Sequence, residues 1–289
     1  MTVFGSDFKR ARREWLYPVE MMQRPWRASL FFVLMFLASA ILQTVAGFLI
    51  YYFWHGAFDV SALGNANSSV SLWVPSDQEL FVKATIIGLF PSAILIVFIA
   101  LFFARFGLPK RMGRLPLRLP QLGWLGWIVV VLGFGLVMLA IFSGTFAALG
   151  IDPETYAPNG GGLGNDKSSA GVIEKTMAAL AKDPILFALA LPSVVLAAPL
   201  TEEIMFRGAL FSGIASSRLG RTGAVLITSA LWAMAHATGA PWLFVGVLFM
   251  MGIALGLLLL RFGSLWVTIA CHASWNALSS LGLFGAGTH

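Results

Sequence analysis

The sequence is poor in charged residues and in cysteine, and each shortage excludes a class of protein. Only 11% of its 289 residues are charged, whereas 58% are hydrophobic and the mean hydropathy is +0.83. Because soluble domains usually contain about 25% charged residues, this composition predicts a membrane protein. The lone cysteine, Cys271, can supply neither an intrachain disulfide framework nor a cysteine-rich metal site.

Several familiar motifs are missing as well. The sequence contains no H-E-x-x-H, no G-x-S-x-G and neither of the glycine-rich phosphate-binding patterns. The net charge of +6 does not by itself indicate a nucleic-acid partner, because the basic residues cluster beside apolar segments. Membrane proteins place Lys and Arg in this way on the cytoplasmic side and against anionic headgroups. We therefore expect anionic lipids at the basic loops and no nucleic acid.

The apolar segments are long enough to cross a bilayer, which takes about 20 residues of helix. They predict an all-α, polytopic transmembrane helix bundle of about seven spans, or eight, within a single transmembrane domain over residues 28–284. Pro192 and Pro199 predict kinks in the fourth span. The predicted spans are 28–54, 81–106, 123–149, 186–217, 222–238, 242–260 and 264–284.

The distribution of basic residues orients the bundle. Lys and Arg concentrate in residues 1–27 and 105–118 and recur at Arg218, Arg221 and Arg261, which places these parts on the cytoplasmic side. With seven spans, the N-terminus is then cytoplasmic and the C-terminus external. The basic and aromatic residues 1–27 are expected to form a cytoplasmic or membrane-surface segment.

The predicted spans also contain ionisable residues, which is costly. Each such group costs at least about 2.5 to 3.5 kcal/mol at membrane depth, so it should face the protein interior and have a partner. Three spans contribute: the fourth carries Glu202, Glu203 and Arg207, the fifth carries His236, and the seventh carries His272 and Asn276.

Helical spacing separates the two glutamates of the fourth span. Glu203 and Arg207 are four residues apart and can form an ion pair on one face of the helix. Glu202 is rotated by about 100° from that face and stays available as a general base or a metal ligand. The alternative for the pair is that it only holds helices together.

The polar residues of the fifth and seventh spans suit hydrolysis of a peptide bond. His272 and Asn276 lie one turn apart; an imidazole binds zinc or donates a hydrogen bond, and a carboxamide can donate to an oxyanion. His236 follows Trp232 by one turn, but its span places it somewhat beyond mid-depth, so its approach to Glu202 is the weakest geometric fit. For His236, His272 and Asn276, the alternative to a catalytic role is hydrogen bonding between helices.

Together the motifs resemble a known family. Glu202-Glu203-x-x-x-Arg207, Trp232-x-x-x-His236 and His272-x-x-x-Asn276 occur in the order found in the CAAX protease and bacteriocin-processing family of intramembrane endopeptidases. This family is also called the abortive-infection family, and it includes the type II CAAX prenyl endopeptidases. The resemblance covers about 100 residues and places the catalytic core at about 185–284. Trp232 stands where the family usually has Phe.

The resemblance implies an activity. Glu202 and His236 would activate a water for attack on a peptide carbonyl, while His272 and Asn276 would stabilise the oxyanion or complete a metal site. A divalent metal, with zinc as the first choice, would be bound by Glu202, His236 and His272, although the same groups can activate water without a metal. The substrate would be a membrane-associated peptide or a lipidated, prenylated protein.

Two other functions use similar residues. An ion-coupled transporter also places carboxylates and histidines in the membrane, but the sequence lacks paired broken helices in two repeated halves. A catalytically inactive family member could retain the fold as a scaffold or immunity protein, and the intact motifs argue against this.

Overall fold

The chain is helical, as its composition predicts. The computed structural model describes residues 3–17, 25–55, 78–106, 115–150, 184–237 and 242–287, and these ranges contain helices and no strand. The predicted all-α fold is thereby confirmed, while residues 56–77 and 151–183, which connect predicted spans, lie outside the described residues. The helices are α1 (Ser6–Ala11), α2 (Pro25–His55), α3 (Gln78–Phe106), α4 (Gly123–Leu149), α5 (Pro184–Ala215), α6 (Gly220–Ala235), α7 (Trp242–Phe262) and α8 (Leu265–Gly287).

Five of these helices, among the residues that the structure describes, are long and apolar enough to cross a membrane: α2, α3, α4, α5 and α7. Their outward faces are apolar; in α4, Leu132 and Leu136 are exposed, whereas Val130 and Phe134 are buried. This is the arrangement of a helix packed on one side and facing lipid on the other. The count of seven spans also requires α6, which has 16 residues, and α8, which has 23, and it stays a prediction.

Helix α5 is where the structure departs most from a regular helix. It contains two π-helical segments, Ser193–Ala197 and Glu203–Leu210. The first lies between the two prolines that predict kinks, Pro192 and Pro199. π-Helical turns are rare, and they occur often at functional sites.

The N-terminal segment is part of the folded structure. The Gly5 N–H donates a 2.7 Å hydrogen bond to the Leu122 carbonyl, and the Tyr17 N–H donates a 3.1 Å bond to the Leu260 carbonyl. The Tyr17 ring is buried edge-on against Phe211 at 5.3 Å. Residues 3–17 therefore pack against the ends of α4 and α7 and against α5.

Two small residues let α7 approach α6 closely. A Cβ at Gly252 would lie 2.8 Å from the Cβ and 2.9 Å from the Cα of Ser229, and one at Gly256 would lie 3.3 Å from Val225. This contact matters for the site, because α6 carries Trp232 and His236.

The substitution Gly252→Ala is therefore expected to lower stability by about 1 to 3 kcal/mol, since the added methyl group meets the backbone of α6. Gly246→Ala is the matched control: Gly246 lies in the same helix, and nothing lies within 4 Å of a Cβ there. Thermal unfolding in detergent should give a lower Tm for Gly252→Ala alone. Equal Tm values for the two variants would contradict the close approach.

Candidate active site

Three helices bring the predicted residues together beside one carboxylate. The Nε2 atom of His236, at the C-terminal cap of α6, lies 3.8 Å from Oε1 of Glu202 on α5. The Nε2 atom of His272, on α8, lies 4.0 Å from Oε2 of the same glutamate. The three side chains thus lie at one level, although the lengths of the predicted spans put His236 deeper than Glu202.

Glu203 and Arg207 form the predicted ion pair. Their side chains are 3.0 Å apart and both are 0% exposed. The same carboxylate oxygen of Glu203 lies 3.0 Å from Nδ1 of His272. Because an ionised carboxylate only accepts hydrogen bonds, Nδ1 of His272 carries a hydrogen and donates the hydrogen bond to Glu203. Glu203 therefore also orients His272, a contact between helices that sequence spacing does not reveal.

His236 is oriented by its own helix. It lies at the C-terminal cap of α6, and its Nδ1 is 2.8 Å from the carbonyl oxygen of Trp232. A carbonyl can only accept, so Nδ1–H donates, and in the neutral ring Nε2 presents its lone pair toward Glu202. The His236 side chain is 35% exposed and that of Glu202 is 20% exposed, so this side of the carboxylate is open to the outside of the protein.

Trp232 lies at the centre of the charged groups. Its indole Nε1–H donates a 2.5 Å hydrogen bond to Oε2 of Glu202. The guanidinium carbon of Arg207 lies 4.7 Å from the centre of its ring, and the rings of His236 and His272 approach it edge-on at 5.0 and 5.4 Å. In the sequence, the one sign of this contact is that Trp232 stands where the resembled family usually has Phe. The indole has an N–H group, which Phe lacks.

Asn276 makes a hydrogen bond that sequence reasoning did not find. Its Nδ2 donates to the Val194 carbonyl at 2.9 Å. In a π-helical turn the carbonyl of one residue accepts from the N–H five positions later, as Ser193 does from Ala198. For Val194 that position is Pro199, which has no N–H. Asn276 satisfies the carbonyl that the proline leaves without a partner.

A double-mutant cycle tests this assignment. Asn276→Leu is expected to lower stability by about 1 kcal/mol, because it leaves the partly buried Val194 carbonyl without its side-chain donor. Pro199→Ala restores a backbone N–H, so the same Asn276→Leu change should cost less in that background. Detergent-unfolding midpoints of the four proteins measure the difference. An equal cost in both backgrounds would show that the carbonyl does not depend on Asn276.

The predicted metal ligands do not form a compact ligand set. Zinc bonds of about 2.0 to 2.2 Å in tetrahedral geometry place ligand atoms about 3.4 Å apart, closer than the 3.8 and 4.0 Å that separate Glu202 from the two histidines. Among the described residues, no group of three or more His, Cys, Asp or Glu is arranged to hold a metal ion. The predicted zinc at Glu202, His236 and His272 stays a prediction.

Comparison with known proteins gives one match. The family described as Type II CAAX prenyl endopeptidase Rce1-like matches residues 184–278, about a third of the chain. The matched region contains α5, α6, α7 and the part of α8 that carries His272 and Asn276. No curated protein and no solved structure matches the chain significantly. The match confirms the resemblance carried by the three motifs.

Proposed function

Because residues 184–278 match the Rce1-like CAAX prenyl endopeptidase family, we propose that this protein is a membrane endopeptidase that hydrolyses a peptide bond in a prenylated protein or peptide. The observation that carries the proposal is the placement of Glu202 between two imidazoles, with Nε2 of His236 3.8 Å from one oxygen and Nε2 of His272 4.0 Å from the other. A carboxylate and two histidines at one point suit general acid and base chemistry on a water molecule.

Of the two adjacent glutamates, Glu202 is the better general base. Glu203 is fully buried and engaged by both Arg207 and His272. Glu202 has one oxygen, Oε1, toward the more exposed His236. A base must reach the proton that it removes, and only Glu202 has an oxygen on the exposed side of the site.

The proposed reaction begins with a water held between Oε1 of Glu202 and Nε2 of His236. Glu202 removes a proton from this water while the water oxygen forms a bond to the peptide carbonyl carbon. The resulting oxyanion accepts a hydrogen bond from the amide N–H of Asn276 that is not bonded to Val194, and a second one from Nε2–H of His272 whenever that ring carries a proton on both nitrogens. Breakage of the C–N bond then transfers the proton from Glu202 to the leaving amine.

The location of the site favours a substrate that is anchored in the membrane. The helices that carry the site are embedded among apolar spans, so a peptide reaches it most readily if a lipid holds the peptide at the bilayer. A farnesylated peptide is thus the preferred substrate over the same peptide without its lipid.

An assay in nanodiscs tests this function. The purified protein should cleave a fluorogenic farnesylated CAAX peptide, and its unlipidated counterpart much more slowly. A parallel reaction with a zinc chelator, followed by zinc addition, tests the predicted metal. The transporter alternative is tested by ion flux in proteoliposomes. Flux without cleavage of any lipidated peptide would contradict the proposed function.

A further inference from the structure

Trp232 contacts four ionisable side chains of the site. The side chain is 1% exposed, and it touches Glu202, Arg207, His236 and His272. Three of these contacts use the ring, which any large aromatic side chain could provide. The contact with Glu202 uses the indole N–H, which no other aromatic side chain supplies at that position of the ring.

The N–H contact makes the two oxygens of Glu202 unequal. Oε2 accepts the 2.5 Å bond from Trp232 and lies on the side of His272, 4.0 Å from Nε2. Oε1 lies on the side of His236, 3.8 Å from its Nε2. The terminal torsion of a glutamate side chain is broad, so without this restraint the carboxylate plane could turn and neither oxygen would be held toward His236.

The position of the donor is itself fixed. The ring of Trp232 lies against the Arg207 guanidinium, and Arg207 is held by its fully buried ion pair with Glu203. The carbonyl oxygen of Trp232 accepts a hydrogen bond from Nδ1–H of His236, which lies one turn later in the chain. The residue that holds one oxygen of Glu202 therefore also orients the imidazole that faces the other oxygen.

We propose that Trp232 is a positioning residue whose indole N–H holds Oε2 of Glu202 and so directs Oε1 toward His236 and the attacking water. The role rests on the proposed function, since it concerns the geometry of the base in that reaction. A hydrogen bond to a charged group in a buried site restricts that group without taking part in bond making. Its loss should lower the rate of the chemical step and leave substrate binding unchanged.

The sharpest test removes the N–H and nothing else. Replacing Trp232 by 3-benzothienylalanine, through an expanded genetic code, exchanges the N–H for sulfur in a ring of nearly the same shape. We expect kcat for the farnesylated peptide to fall by about tenfold to a hundredfold, with an unchanged KM and a protein that stays folded at the assay temperature. The matched control is the same replacement at Trp266, at the start of α8, whose indole N–H donates a hydrogen bond to the Leu117 carbonyl. This replacement should leave kcat unchanged.

Trp232→Phe is a second variant, which also shortens the ring. It should lose kcat to a similar extent and, in addition, some stability through its weaker contact with Arg207. Wild-type kcat with 3-benzothienylalanine at position 232, while Glu202→Gln is inactive, would overturn the inference and leave the proposed function intact. A raised KM with unchanged kcat would also overturn it, since it would place Trp232 in substrate binding. Full activity of Glu202→Gln would instead overturn the proposed function.

Discussion

Glu202→Gln is expected to lower kcat/KM for the farnesylated peptide by about 10³-fold while the protein folds normally, because general-base catalysis typically contributes about 10²- to 10⁴-fold. Glutamine has nearly the same volume as glutamate, and its carbonyl oxygen can still accept the hydrogen bond from Trp232. The change therefore removes the base and keeps the packing.

The measurement is the rate of peptide cleavage in nanodiscs at matched protein concentration, with Tm as the test of folding. Glu14→Gln is the control: it makes the same chemical change at an exposed glutamate that pairs with Arg10 near the N-terminus. That variant should keep wild-type kcat/KM. A Glu202→Gln protein within twofold of the wild type would remove Glu202 from the mechanism.

The second large effect concerns the ion pair beneath the site. Arg207→Met leaves Glu203 as a fully buried charge that has lost its cation, and breaking a buried pair in this way typically costs about 3 to 5 kcal/mol. The double variant Glu203→Leu, Arg207→Met removes both charges and should regain most of that stability. Replacement of a whole buried pair by apolar side chains is often neutral or stabilising.

Activity and stability should separate in the double variant. Glu203 also accepts the hydrogen bond from Nδ1 of His272, so without it the imidazole loses its fixed orientation. We expect a protein that unfolds near the wild-type midpoint in detergent titration but cleaves the peptide slowly. An Arg207→Met protein as stable as the wild type would contradict the assigned burial of the ion pair. A fully active double variant would show that Glu203 does not orient His272.

Much of the site follows from helical spacing. Residues four apart on a helix share a face, which is why Glu203 and Arg207 could be paired from the sequence and why Glu202 could be assigned a different direction. The cost of charge in a membrane explains why such residues in separate spans meet in the interior. Their depth was harder to predict, because the level of His236 depends on how α5 and α6 tilt, and tilt is set by packing between helices.

Other features of the site were not predictable from spacing. The π-helical segments of α5 change the register of the turns, and the bond between Asn276 and the Val194 carbonyl depends on that change. The indole bond to Glu202 depends on the side-chain conformation of Trp232. The docking of residues 3–17 on the bundle combines backbone hydrogen bonds with side-chain contacts, such as Tyr17 with Phe211 and Asp7 with Arg118, between segments that lie far apart in the sequence.

In the proposed reaction, Glu202 activates the water that cleaves the peptide bond. The most direct test is mass spectrometry of the peptide products formed in water enriched in ¹⁸O by the wild type and by Glu202→Gln. With Glu202 in this role, the wild type should produce a fragment with one ¹⁸O atom in its new carboxylate, and Glu202→Gln should produce almost none. Formation of the same labelled fragment by Glu202→Gln at the wild-type rate would contradict it.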